Sequence, residues 1–221
     1  MTPARTAPIV VALEVGTRRV FASALDWPGW CRSGRDEALA LEALAAAAGR
    51  YAAVAVRAGT PFPGAAADFE VVERLPGTTT TDFGAPDAVA GADARPLSAV
   101  EAVRLAALVA AAWVEFDRVV AAAPAILRKG PRGGGRDRDA VVAHVVEAEG
   151  QYARRLGIRP DRVDAGDRAA VAALRQAITG ALGAARAGAP MVEGGWLPRY
   201  AARRIAWHAL DHAWEIEDHS G

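Results

Sequence analysis

Apolar and polar residues follow two different periods along the chain, and the change falls between residues 76 and 97. Before it, four short β-type runs surround a single helical run. The β-type runs are PIVVALEV, RRVFASALD, YAAVAVRA and FEVVERL, and the helical run is RDEALALEALAAAAGRY. Gly16 and Thr17 separate the first two runs and form a tight-turn signal, which predicts a β-hairpin. Residues 1–75 are therefore predicted to form a small α+β module.

After the change the β-type runs stop and four helical segments follow, at about 98–122, 137–156, 166–187 and 197–218. Glu101 stands three residues after Ser98, which predicts a capping box at the start of the first segment. The connectors are rich in Gly and Pro and are long enough for neighbouring helices to run up and down. Residues 98–221 are therefore predicted to form an all-α, up-and-down four-helix bundle.

The segment between the two parts, PGTTTTDFGAPDAVAGADARPL, is rich in Gly, Pro, Thr and Asp and has no sustained apolar period. This composition predicts a linker or an extended surface strap at residues 76–97. The domain boundary is placed there. The fold class expected for the whole chain is α+β, with the small module first and the helical bundle second.

Composition narrows the classes of function. Of the 221 residues 52% are apolar, which is enough for a real core, and Lys plus Arg equals Asp plus Glu at 26 each. Neither half has the basic excess expected of a protein that binds nucleic acid or an anionic membrane. The single cysteine excludes an internal disulfide, and the most apolar segment, LAALVAAAWV, is about half the length needed to cross a bilayer. A cytoplasmic location is expected.

Two of the four histidines stand one helical turn apart near the C-terminus, in the stretch IAWHALDHAWEIED. Residues four apart share a helix face, so both imidazoles can reach one ion. The face is an apolar seam that should point into the core, made of Ala201, Ile205, His208, His212 and Ile216. A comparable seam on the second helical segment contains a third histidine, His144.

Three imidazoles in one apolar interior are costly unless something satisfies their nitrogens, and a divalent metal can do so. Three histidines with an open position are typical of a catalytic rather than a structural zinc-type site. Imidazole also suits nickel, iron or cobalt, so the identity of the metal is left open, with zinc and nickel as the leading candidates. Glu147, Asp211 and Glu215 are candidates to orient the imidazoles or accept a proton. The alternative is that the histidines hydrogen-bond only to backbone or carboxylate groups.

Other conspicuous residues favour structural roles. Trp27, Trp30 and Trp196 stand beside Pro or Gly and are expected to pack under loops. Cys31 has only Arg32 nearby to lower its pKa and is expected to be inert. The glycine-rich GPRGGGR, residues 130–136, lacks the lysine and hydroxyl ending of a phosphate-binding loop, which indicates a connector.

The stretches RDAVVAHVVEAEGQYARRLG and LPRYAARRIAWHALDHAWEIED, with a helix between them, resemble the DinB-like superfamily. These four-helix bundles include metal-dependent thiol transferases and mycothiol-dependent maleylpyruvate isomerases. The resemblance covers roughly residues 98–219. It implies that His144, His208 and His212 are the metal ligands and that mycothiol is a thiol cosubstrate.

The stretch VFASALDWPGWCRSGRDEALALEAL resembles the HicB-type antitoxin fold, in which a short hairpin, a Pro-Gly turn and a helix form a small α+β module. The family usually adds a DNA-binding element, whereas this chain continues into helices. The resemblance therefore implies an accessory module that packs on the bundle or mediates homodimerisation.

Two functions from different classes follow. The first is a metal-dependent transferase or hydrolase that uses the three-histidine site on a small-molecule substrate, with its catalytic residues and substrate left open. The alternative is a non-catalytic binding protein, or one related to toxin–antitoxin systems, with a structural bundle. Nucleic acid and membrane are not expected as partners.

Overall fold

The first apolar run forms the central strand of a four-stranded β-sheet. The structure, a computed structural model, describes residues 7–64, 68–130 and 135–220; most of the predicted connector GPRGGGR lies outside them. The strand order is β3-β2-β1-β4. The strands are β1 (Ile9–Val15), β2 (Val20–Ala24), β3 (Cys31–Gly34) and β4 (Phe69–Pro76). A sheet followed by helices confirms the α+β class.

The predicted hairpin is confirmed, because β1 and β2 pair antiparallel and the Gly16 N–H donates to the Arg19 carbonyl. On its other side β1 pairs with β4 in parallel. Nearly every residue of β1 is buried, on both faces of the sheet. This double burial explains why the run is continuously apolar rather than alternating.

Two helices follow β3: α1 (Glu37–Ala46) packs against β2 and β3, and α2 (Ala48–Arg57) packs against α4. The prediction that YAAVAVRA is a strand was wrong, because that run is α2. Its buried residues Tyr51, Val54 and Ala55 follow helical spacing, and the apparent alternation came from alanines on both sides of the helix. The strand β3 was not predicted, because CRSG carries no apolar alternation.

The four predicted long helices are confirmed within a few residues of their expected ends: α4 (Ala99–Ala122), α5 (Arg138–Arg155), α6 (Arg168–Ala184) and α7 (Pro198–Asp218), after a short α3 (Thr79–Phe83). The capping box is also confirmed. The Glu101 N–H donates to Ser98 Oγ at 3.2 Å, and the Ser98 N–H donates to Glu101 Oε2 at 2.9 Å. α4 packs against α6 and α7, and α5 packs against the same two helices.

Residues 77–97, called the strap below, connect β4 to α4 and contain α3 and a 3₁₀ turn, Gly91–Ala94. The buried carboxylate of Glu14 on β1 holds the strap. It accepts hydrogen bonds from the Thr81 hydroxyl and from the backbone N–H groups of Asp87 and Ala88, the last two at 2.9 Å. The predicted surface strap is therefore tied to the sheet by one acidic side chain.

Buried apolar side chains from the sheet, α1 and α2 join those of the long helices in one continuous cluster. α7 lies at its centre. The turn at Gly29, with φ +92°, comes so close to α7 that an added Cβ would lie 2.7 Å from Leu210 and 3.1 Å from Ala206. The predicted boundary at 76–97 thus marks the order of elements, and the division of the chain into two domains stays a prediction.

No single helix among the described residues combines the length and apolar character needed to cross a membrane. α1 and α2 reach that length only as a pair, bent by 51°.

Replacing Glu14 with Ala is expected to lower the free energy of unfolding by about 2–4 kcal/mol, because the buried Thr81 hydroxyl and two backbone N–H groups of the strap lose a charged acceptor. Urea unfolding measures the change, and proteolysis should become faster within the strap. The control is Glu70→Ala, an exposed glutamate on β4. Equal stability losses in the two variants would contradict the role of Glu14.

The pKa of Glu101 falls to about 2, first because Arg199 Nη2 donates to its carboxylate at 2.6 Å and next because of the Ser98 N–H. A lowered folded-state pKa contributes stability above the ordinary value of 4.5 that is lost as pH falls from 4.5 towards 2. Glu101→Gln should therefore be less stable than the native protein at pH 7 and equal to it near pH 2.

Urea unfolding at a series of pH values tests this expectation, with the exposed α1 variant Glu42→Gln as the control. A stability difference for Glu101→Gln that stays constant from pH 6 to pH 2 would contradict it.

Candidate metal centre

The packing of α5 against α7 brings the three predicted histidines together. His144 comes from α5, and His208 and His212 come from successive turns of α7. Their ring centroids are 4.7–5.1 Å apart, and one ring nitrogen from each lies within 4.8 Å of the others. His208 is buried, at 7% exposure, and the other two are half-buried. Both predicted seams therefore face one another.

The closest pair of nitrogens has the spacing of two ligands on one ion. Nε2 of His208 lies 3.3 Å from Nε2 of His144. Two nitrogens bound tetrahedrally at about 2.0–2.1 Å from zinc are separated by about 3.3–3.4 Å. The same distance also permits a weak N–H···N hydrogen bond, so the spacing alone accommodates both arrangements.

The imidazole of His212 is oriented by a carboxylate. Its Nδ1 lies 2.6 Å from Glu215 Oε2, and an ionised carboxylate only accepts, so Nδ1 carries the proton. This bond is the main cause that lowers the pKa of Glu215. The tautomer leaves the lone pair on Nε2. A histidine whose second nitrogen donates to a carboxylate is the usual arrangement of a metal ligand.

The surroundings keep the other two imidazoles neutral. Burial is the largest cause that lowers the pKa of His144 and of His208, and the positive charge that His212 would carry adds to both effects. Arg204 and Arg136 lower the pKa of His208 further. Because an imidazole binds a metal through a lone pair, neutral rings are the form that a cation requires.

Of the three acidic candidates, only Glu215 contacts a histidine. Asp211 instead pairs with Arg32 at 3.1 Å, and burial raises the pKa of its carboxyl. Glu147 is exposed on α5 and acts on His144 only through its charge. The remaining groups around His208 are aromatic: the ring centroids of Tyr152 and Trp207 lie 5.6 and 6.1 Å from it.

One fully buried nitrogen of the cluster has no hydrogen-bond partner among the described residues. Nδ1 of His208 is buried and makes no hydrogen bond with any described residue. Hydrogen bonds to protein groups therefore satisfy Nδ1 of His212 but not Nδ1 of His208. Leaving such an atom unpaired costs about 1–3 kcal/mol, so a water molecule or another polar group is expected to contact it.

The tryptophans and the cysteine that were expected to have structural roles make the following contacts. Trp27 and Trp30 pack edge to face or stacked with Tyr51 and Phe62, and Trp196 packs against Tyr152 and Tyr200. Burial raises the pKa of Cys31 to about 12, which agrees with an inert thiol. Sequence reasoning missed Arg204, which stands one turn before His208 on the same face of α7.

Comparison with known proteins assigns no relative. No protein-family model matches the chain, and searches of curated proteins and of solved structures find no significant similarity. The chemistry of the site therefore has to be inferred from its own residues.

Replacing His208 with Leu, in protein treated with a chelator, is expected to change the free energy of unfolding by less than about 1 kcal/mol in either direction, because the substitution removes an unpaired buried nitrogen. The matched variant His212→Leu should lose about 1–3 kcal/mol, because it leaves Glu215 without its donor. Urea unfolding measures both variants. A larger loss for His208→Leu than for His212→Leu would contradict the assignment of the unpaired nitrogen.

Proposed function

We propose that the protein is a metal-dependent enzyme of the DinB-like superfamily, a thiol-dependent transferase or a hydrolase, in which α4 to α7 form a four-helix bundle. The observation that carries the proposal is the convergence of His144, His208 and His212 from two helices, with Nε2 atoms of the first two 3.3 Å apart. The three were expected as ligands from the resemblance, and nothing else in the chain supplies a comparable set among the described residues.

The helix contacts support the bundle. α4 and α5 each pack against both α6 and α7, which gives a closed ring of four neighbours. Metal sites in bundles are built from side chains on facing helices. The histidines lie on α5 and α7, one of the contacting pairs, as that architecture requires.

The donor set fits a divalent cation, with zinc or nickel the leading candidates because imidazole suits both. His144, His208 and His212 would hold the ion, and Glu215 would keep His212 in the tautomer that exposes its Nε2. Three ligands would leave a position for a water or a substrate thiol, and a bound divalent cation would lower the pKa of that group enough to give a nucleophile at neutral pH. Mycothiol is the cosubstrate proposed from the superfamily resemblance.

The N-terminal module is proposed to be HicB-like and to have an accessory role in assembly. Its support is the close approach of the Gly29 turn to Ala206 and Leu210 of α7, each two residues from His208. A module that packs at this position can stabilise α7, the helix that carries two of the three proposed ligands.

Metal analysis of protein produced without a histidine tag tests the proposal. The wild type is expected to bind about one equivalent of zinc or nickel, and His208→Ala should bind none. Glu215→Gln should weaken the affinity by about 10–100-fold, because it removes the carboxylate that orients His212. The control is His219→Ala, which changes the one histidine outside the cluster and should retain the metal.

Absence of stoichiometric metal from the wild type, even after incubation with zinc and with nickel, would overturn the proposal in favour of the non-catalytic alternative. If metal binds, conjugation of mycothiol to an electrophilic acceptor, followed through the loss of free thiol, tests the transferase activity. That turnover should disappear in His208→Ala.

A further inference from the structure

The outer side of α4 exposes a row of apolar side chains, called the valine row below. Its three valines, Val100, Val103 and Val114, are 79%, 61% and 49% exposed. Two half-buried alanines complete the row, which repeats at alternating intervals of three and four residues: Val100, Val103, Ala107, Ala110 and Val114. This is the spacing at which one helix packs along another. Because the valines are exposed, no described segment of the chain covers the row.

The charged residues in this part of α4 point away from the valine row. Only Glu101 and Arg104 are charged within residues 99–114. Glu101 accepts a hydrogen bond from Arg199 of α7, and Arg104 donates to the Asp26 carbonyl. Exposed helix faces usually carry charged residues, and valine forms helices less readily than alanine. Neither solubility nor helix propensity therefore accounts for the row.

The neighbouring helix α6 continues this surface with small residues, called the small-residue groove below. α6 lies beside α4, since a Cβ added to Gly183 would lie 3.9 Å from Ala106. Arg175 is the only charged residue within residues 169–184, and its guanidinium pairs with Glu149. Apart from Gln176, the exposed residues of that stretch are all alanine or glycine: Ala169, Ala172, Ala173, Ala177, Gly180 and Ala184.

The size of this surface suits a protein interface. The two stretches, residues 99–114 of α4 and 169–184 of α6, are each about 24 Å long at a rise of about 1.5 Å per residue. Side by side and about 10 Å wide each, they present roughly 500 Å². The smaller specific dimers bury about 600 Å² on each chain, which contacts at the rim of this surface would supply. An exposed apolar patch of this size marks an interaction site.

The shape of the surface makes it complementary to itself. The valine row is raised, the small-residue groove is low, and both lie on the same side of the molecule. A twofold axis parallel to the two helices places the row of each chain over the groove of the other, as a symmetric interface requires. Neither element carries an unpaired charge, so nothing in the surface repels a copy of itself or selects a charged partner.

We propose that the chain forms a symmetric homodimer in which the valine row of each α4 packs into the small-residue groove of the other chain's α6. The interface goes beyond the proposed function, because it needs neither metal nor substrate. The HicB-type resemblance implied dimerisation through the N-terminal module, whereas this surface belongs to the helical part. The histidines lie on α5 and α7, which the interface leaves uncovered.

The residues that meet across the interface follow from the pairing of α4 with α6. Arg175 lies 5.2 Å from the ring centroid of Trp113 and pairs with Asp117 at 2.9 Å. Val114 of α4 and Ala177 of α6 therefore lie at the same level of the molecule. An axis parallel to the helices preserves that level, so Val114 of one chain comes over Ala177 of the other.

Analytical ultracentrifugation of the full chain, with and without a chelator, tests the dimer. The wild type is expected to have twice the mass of one chain in both conditions. Val114→Glu and Ala177→Lys should each raise the dissociation constant by about 100-fold or more, because each places two unpaired charges in the interface. Circular dichroism checks that the variants fold. Val103→Glu gives an independent test of the row if Val114→Glu loses helical signal.

An equimolar mixture of Val114→Glu and Ala177→Lys tests the pairing of row and groove. In the mixed dimer the introduced carboxylate of one chain faces the introduced ammonium group of the other, and the second contact keeps its native valine and alanine. The mixture should therefore dimerise about tenfold or more tightly than either variant alone. The control is Phe83→Glu, which changes a 90% exposed residue of the strap and should dimerise like the wild type.

A monomeric wild type overturns the proposal, and so does a dimer that survives Val114→Glu and Ala177→Lys unchanged. Failure of the mixture to recover the dimer, or loss of the dimer in Phe83→Glu, rejects this interface. The result is independent of the metal site. A dimer that is sensitive to Val114→Glu in protein that never binds zinc or nickel would retain the interface and reject the proposed enzyme, whereas a zinc-binding monomer would do the reverse.

Discussion

α7 brings arginines, histidines and acidic residues against the core of the protein, where polar groups that leave water need partners. Fourteen of its 21 residues are buried. Removing charged and polar groups from water is expensive unless they are paired, so the rest of the chain has to supply the partners. The strap supplies Asp93 for Arg203, and β3 supplies Arg32 for Asp211.

These pairings come from segments far apart in sequence, and their effect is on geometry more than on net stability. A buried ion pair contributes little over an apolar contact of the same shape, yet breaking one leaves a costly unpaired charge. The rotation of α7 about its axis is thereby fixed. His208 and His212 then face α5, and Arg204 lies between Tyr152 and Trp207.

The sequence alone predicts those features that depend on local spacing. The four long helices, the Ser98 capping box, the hairpin and the inward faces of the three histidines are all local patterns. The run that forms α2 was predicted to be a strand because alanine occurs on both buried and exposed sides of a helix. An alanine-rich run therefore does not distinguish a period of two from a helical period. β3 was missed because its pairing with β2, not its composition, makes it a strand. The contact of Arg204 with Tyr152 of α5 is a tertiary property that no local pattern contains.

The close approach of Gly29 to α7 has a consequence for how this chain can change. A side chain at position 29 would collide with Leu210 and Ala206, which flank His208 on the helix. The φ of +92° at Gly29 adds backbone strain to any such side chain, so the turn keeps its glycine and a larger residue at 206 or 210 would press against it. The position of α7 therefore depends on the N-terminal turn. Exchanging that module for another would also displace the histidines that α7 carries.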